Sequence, residues 1–294
     1  HMRQSLPPRA PPDDHRLDYA WKGALNTAAT GLFAIDYTNP EGSAARMLTT
    51  QFEAPDARRF APMWDEPQYK IPFTLSTVAP AAQTAFSNMP ATSITQQQDG
   101  TTLYRFAETP KMSSYLLFLG MGDVERKTVM AGKTEIGIIT RRGVADQGDY
   151  ALAQAKRLLT YYNDYFGQPY PLPKLDMIAG PGSSQFFGAM ENWGAIFYFE
   201  PELLYDQKRA TQSGKQRIFT VVAHEMAHQW FGDLVTMKWW DDLWLNEGFA
   251  SWMENKSSID LNPDWNAAAT AVAQDREAAL QADSTSGTHP IIRH

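Results

Sequence analysis

The stretch DYALAQAKRLLTYYNDYFG, residues 149–167, is where the chain changes its period. Leu152, Ala155, Leu158, Leu159, Tyr162, Tyr165 and Phe166 recur at spacings of three and four, as the apolar face of a helix does. Asp149 stands at the N-cap position, Gly167 supplies a stop, and Pro169 lies just beyond it. Upstream, no long helix is legible. Short β-prone runs occur instead, namely LFAIDY (32–37), MLTTQF (47–52), IPFTLSTV (71–78), TLYRFAE (102–108), YLLFLG (115–120) and EIGIIT (135–140), separated by Pro, Gly and Asn. The switch predicts an α+β protein of two domains. Residues 1–142 form an N-terminal antiparallel β domain behind a Pro-rich lead (1–18), and residues 143–294 form a domain in which helices and strands alternate.

Downstream of the switch, KLDMIA (174–179) and WGAIFYF (193–199) read as strands. Ser213 and Gln216, in capping-box spacing, open a helix that runs through VVAHEMAHQW (221–230). Leu245, Phe249, Trp252 and Met253 share a face of a further helix from Asp242 to about Lys256, and Asn262-Pro263 begins another.

The bulk properties of the 294 residues narrow the function. A net charge of −7 and a pI near 5.4 leave no basic stripe to displace counterions from phosphates, so no nucleic-acid partner is expected. No apolar run approaches the roughly 20 residues that span a bilayer, and no signal-peptide core is present at the N-terminus. Compartment stays open between exported, periplasmic and cytoplasmic. With no cysteine, any metal must be held by His, Asp and Glu.

The HEMAH run makes such a metal concrete. Residues four apart on a helix project side by side with Cβ atoms about 5–6 Å apart, so His224 and His228 can reach one zinc ion. Glu225 is turned away by one residue's rotation, which suits a base acting on water rather than a ligand. A catalytic zinc takes three protein ligands, and Glu247 in LWLNEGFASW is the candidate for the third. Two histidines on one helix face also arise as polar contacts in a core. The intervening glutamate and the downstream carboxylate favour one Zn2+ per chain.

At this point the chain resembles the M1 zinc aminopeptidases. His224-Glu225-Met226-Ala227-His228 is followed by Glu247 in Asn246-Glu247-Gly248-Phe249-Ala250, and Gly188-Ala189-Met190-Glu191-Asn192 matches the family's GAMEN motif. TQFEAPDARR (50–59), WDEP (64–67), PYPLPKLD (169–176) and WWDDLWLNEGFA (239–250) also match. The resemblance implies a thermolysin-like zinc-peptidase domain behind the β domain, and peptide substrates with a free N-terminus. It implies that Glu191 binds the α-amine, that the GAMEN backbone at Gly188, Ala189 and Met190 holds the peptide, and that Glu53 adds a second acidic contact. It further implies a tyrosine beyond the third ligand that stabilises the oxyanion. None occurs between Gly248 and His294, and the chain is expected to be a middle portion, partial in both domains.

The function expected is zinc-dependent removal of N-terminal amino acids. The competing expectation is a weakly active or inactive fragment that binds zinc and peptide. An epoxide-hydrolysing relative would carry GGMEN, and Ala189 speaks against it. Trp239, Trp240, Trp244 and Phe249 are expected in the core rather than on substrate, and Asp242 is a candidate to orient a histidine.

Overall fold

The computed structural model describes residues 17–209, 211–288 and 290, so most of the Pro-rich lead lies outside them. Strand β1 (Gly31–Thr38) pairs antiparallel with β2 (Ala44–Gln51), which leads into the short helix α1 (Ala57–Phe60). The strands β3 (Ser76–Pro80), β4 (Thr84–Ser87), β5 (Ala91–Gln96), β6 (Thr101–Phe106) and β7 (Leu119–Gly122) follow. They form two antiparallel sheets in the orders β1-β2-β7-β4 and β3-β6-β5.

Two of the expected runs behave differently from a simple strand. Within IPFTLSTV only the end from Ser76 joins a ladder. Pro72 has no N–H to donate, and Phe73 N–H bonds the Thr109 hydroxyl instead. YLLFLG begins as a 3₁₀ turn over Ser114–Leu116, every residue of it buried, because a short apolar run does not distinguish a buried turn from a buried strand.

A mixed sheet follows, in the order β11-β12-β10-β9-β8. Its members are β8 (Val124–Ala131), β9 (Thr134–Arg141), β10 (Lys174–Gly180), β11 (Ala189–Met190) and β12 (Ala195–Phe199). β10 is buried along its whole length and lies parallel to β9 on one side and β12 on the other. Helix α2 (Asp149–Phe166) is the crossover that joins the parallel neighbours β9 and β10. This sheet extends across residue 143, since β8 and β9 precede it and β9 pairs with β10, which follows. The architecture is α+β, antiparallel sheets first and a mixed sheet with helices second, as the change of period predicts.

The helices correct the expected caps. Gly148 takes the N-cap of α2, with Asp149 one position inside, while Gly167 ends it in the left-handed region at φ 61°. After α3 (Glu200–Leu203), helix α4 (Gln212–His228) is capped by Thr211, whose hydroxyl accepts the Gly214 N–H at 3.1 Å. The Ser213–Gln216 pair lies inside that first turn, because the hydroxyl two residues earlier already serves the free N–H groups. Helix α5 runs from Leu243 to Leu261, and Asn262-Pro263 opens only a 3₁₀ turn. The left-handed Asn266 precedes α6 (Ala267–Ala271), a π-helical turn and α7 (Glu277–Asp283). Among the described residues no helix is long and apolar enough to cross a membrane.

One hydrophobic cluster joins the two parts. It includes Phe33 and Met47 from the N-terminal sheets, Tyr115 from the 3₁₀ turn, Phe197 from the mixed sheet, and Phe219, Met226 and Met253 from α4 and α5. Buried Lys174 reinforces the junction, its ammonium donating to the carbonyls of Ser87 and Gly194, both at 2.7 Å, and pairing with Asp176 at 2.9 Å.

Candidate metal centre

Helix α4 is held on several sides before any ligand is considered. The Tyr162 hydroxyl of α2 donates to the Ala223 carbonyl at 2.8 Å, and the Trp230 indole N–H donates to the Gln168 carbonyl at 2.7 Å. Gly232, with φ at 146°, lets the chain turn tightly against His228, where a Cβ would sit 3.1 Å from both the ring Nδ1 and the backbone oxygen. The last turn of α4 is therefore fixed in position and direction.

The structure brings His224, His228 and Glu247 together. The two Nε2 atoms lie 3.1 Å apart, and the Glu247 carboxylate oxygens lie 3.3 Å from His224 Nε2 and 3.5 Å from His228 Nε2. Bonds of about 2.0–2.1 Å at tetrahedral angles place donor atoms about 3.3 Å apart, so this triangle fits one zinc ion. The far side of each ring fits as well. His224 Nδ1 contacts a Glu254 carboxylate oxygen at 2.9 Å and His228 Nδ1 the Phe231 carbonyl at 3.2 Å. A proton held at Nδ1 leaves the Nε2 lone pair for a cation.

Electrostatics point the same way. Burial works against a charged His224, but Glu247 and Glu254 outweigh it and push the imidazole up to about 11. Burial also opposes ionisation of Glu247, yet the His224 hydrogen bond and the nearby His228 hold it below the usual carboxylate range. Glu225 is buried one residue from His224, and its Oε2 has no hydrogen-bond partner among the described residues. Burial, aided by the surrounding carboxylates against the pull of His224, lifts Glu225 well above the usual carboxylate range.

The expected amine-binding carboxylates lie against the same cluster. Glu53, Glu191 and Glu247 place carboxylate oxygens within 4.8 Å of one another, so Glu247 belongs to both groups. Burial and then Glu191 raise Glu53 well above its ordinary range, and burial raises Glu191 as well. Glu191 is buried between β11 and β12 and accepts from the Tyr115 hydroxyl at 3.3 Å. Gly188 and Ala189 sit at the edge of the mixed sheet, where, among the described residues, β11 pairs only with β12. The Met190 side chain points inward, its sulfur 3.9 Å from the Gln51 amide.

Three expectations change. Glu254, not Asp242, contacts the His224 ring, whereas Asp242 sits at the start of α5. Glu254 lies two helical turns after Glu247 on α5, a seven-residue spacing that the sequence contains. Trp239, just ahead of α5, and Trp244, in its first turn, are exposed rather than core residues. Trp240 does pack, edge-on against Tyr115 at 5.3 Å, and Phe249 packs on Phe231 at 4.4 Å. Tyr115 and Gln229, both fully buried beside Glu191, carry no sequence signal that reveals their role.

An HEMAH helix crossed by a second, carboxylate-bearing helix is the site of a metallopeptidase-like protein. Residues 3–116 match the Peptidase M1 N-terminal domain and residues 150–294 the Peptidase family M1 domain. The chain belongs to peptidase family M1. It is 48% identical to Aminopeptidase N of Acetobacter pasteurianus, over 81% of this chain and 67% of that protein. It is 46% identical to Probable aminopeptidase 2 of Sulfurisphaera tokodaii, over 84% of the chain and 31% of the relative. It is 43% identical to Probable aminopeptidase 1 of Saccharolobus solfataricus, over 96% and 35% respectively. The chain thus spans two thirds of the first of these relatives and about one third of the other two.

Proposed function

We propose that the chain carries the zinc- and amine-binding centre of a metallo-aminopeptidase, which removes single residues from the N-terminus of peptides. The observation that supports this best is the sharing of Glu247 between two clusters, one of a metal-binding donor set and one of carboxylates alone. Two cations are called for side by side, and a peptide N-terminus brings the second as its α-ammonium, mostly protonated near neutral pH with a pKa of about 7.7–8.0.

His224, His228 and Glu247 would hold zinc. Zinc, when bound, supplies Lewis acidity that polarises the scissile carbonyl and makes water a stronger acid. Glu225 takes the proton of the attacking water and then delivers it to the nitrogen of the leaving peptide. Its buried, partly unpartnered carboxyl, lifted above the usual range by burial, holds a proton more readily than an exposed carboxylate does, which suits a group that takes one and returns it. Glu191 and Glu53 hold the α-ammonium one residue away from the scissile bond. The open edge at Gly188 and Ala189 pairs with the peptide backbone as an added strand.

Free-amine and N-acetylated aminoacyl chromogenic substrates, assayed with and without chelator, test this. Glu191→Ala is expected to lower kcat/KM on the free-amine substrate by about 10- to 100-fold, as loss of a charged hydrogen bond does, and to leave the zinc content at one per chain. Blocked substrates cleaved as fast as free ones would remove amine recognition from the reading. Bound zinc without turnover would favour a peptide-binding fragment.

A further inference from the structure

We infer that Gln229 is the positioning residue that fixes the distance between the metal side of the site and the amine-binding carboxylate, an inference that rests on the function proposed above. Gln229 follows His228 directly and has no exposed surface. Its side-chain amide uses its hydrogen-bonding capacity in full. The Nε2 group donates to the Glu191 carbonyl at 2.8 Å and to Asp233 Oδ2 at 2.9 Å. The Oε1 atom accepts from the Gly194 N–H at 3.0 Å and from the Tyr170 hydroxyl at 3.2 Å.

Two of these partners are backbone groups, and they make the arrangement unambiguous. A carbonyl only accepts and a backbone N–H only donates, so the amide has one orientation, and neither a carboxylate nor an apolar side chain reproduces it. The two backbone partners bracket the Glu191-to-Gly194 turn, in which Gly194 has φ at 77° and a Cβ would fall 2.7 Å from the Asn88 carbonyl. One end of the turn carries the Glu191 carboxylate, and one end of the amide's own backbone carries His228. A single rigid group therefore spans from metal ligand to amine anchor, and the reach between them decides whether an N-terminal residue registers with the scissile carbonyl. Displacements of about 1 Å at such a point cost on the order of 100-fold in rate.

The test separates amine registration from general damage. Leucine hydroxamate and 4-methylpentanohydroxamate differ only in the α-amine, and both chelate zinc. Calorimetry on the zinc-loaded 294-residue chain is expected to show the amino compound binding about 10- to 100-fold more tightly, the range of a charged hydrogen bond. In Gln229→Glu, which keeps the shape but sets oxygen against the Glu191 carbonyl, that ratio is expected to fall to within about threefold of unity, with zinc content unchanged. Gln229→Asn keeps an amide but lacks the reach to both backbone groups, and carries the same expectation should the glutamate variant not fold. A preference that survives in the variants, or two affinities that weaken equally, overturns the inference while leaving amine recognition intact. A wild-type ratio near one overturns amine recognition itself, and the role of Gln229 with it.

Discussion

Helices α4 and α5 both contribute to the candidate metal centre, yet they are built differently. α4 is enclosed: Ile218, Phe219, Val222, Ala223, Met226 and Ala227 are buried, and its last turn is tied to α2, to the Glu191 turn and to its own continuation by buried hydrogen bonds. α5 packs along α4 through Ala250 and Met253, while Trp244, Leu245, Trp252 and Ile259 are exposed on its other side. Glu247 follows suit, with 44% of its side chain exposed against 1% for His228. The difference assigns tasks. Under the proposed function, the histidines and Glu225 need fixed geometry and a low-dielectric setting, whereas a carboxylate ligand tolerates a more open position because either oxygen can reach the cation.

The contrast can be broken most sharply on the enclosed helix. Glu225→Gln keeps shape and burial but removes the proton acceptor. Steady-state assays are expected to show kcat reduced by about 100- to 10,000-fold, with one zinc still bound by elemental analysis. Retained activity would move the base elsewhere.

On the open helix the strongest expected effect runs through Glu254. Glu254→Gln leaves an acceptor for His224 but removes a charge, and competition with a chelator is expected to show zinc affinity lower by about 10- to 100-fold. The same carboxylates predict the pH dependence. Because Glu247 and Glu254 hold His224 protonated up to about 11, zinc and a proton compete for it, and affinity falls as pH falls. Calorimetry in buffers of different ionisation enthalpy should count at least one proton released per zinc bound between about pH 6 and 8, a window that lies wholly below the pH at which His224 would lose its proton unaided. The smallest effects belong to the exposed face of α5. Ile259→Ala is expected to change unfolding free energy by less than about 0.5 kcal/mol, whereas Met253→Ala on the buried face costs about 2–5 kcal/mol. Equal costs would show that the outer face is packed in solution.

Local chemistry made much of this legible. The period of α2, its glycine stop and the β-prone runs ahead of it follow from which side chains must leave water, and that repeats along the sequence. The HEMAH spacing brings two imidazoles together through helix geometry alone. Where local signals are degenerate, the reading slipped. Thr211 and Ser213 are equally good hydroxyl caps from sequence, the polar ATSITQ of β5 reads like loop, and Pro72 silently removes the donor that a strand at 71–75 would need.

By itself, then, the sequence determined the residue types, their spacing within each element and the α+β order, because these depend on neighbours a few positions apart. Tertiary structure alone decided which distant groups meet. Glu53 lies 138 positions before Glu191, and Glu254 lies 30 after His224, yet each pair meets at one point because the sheets and α5 close on α4. Gln229 shows the limit most clearly, since an amide holds two backbone groups 35 and 38 positions away only after burial has removed the water that would otherwise satisfy all of them.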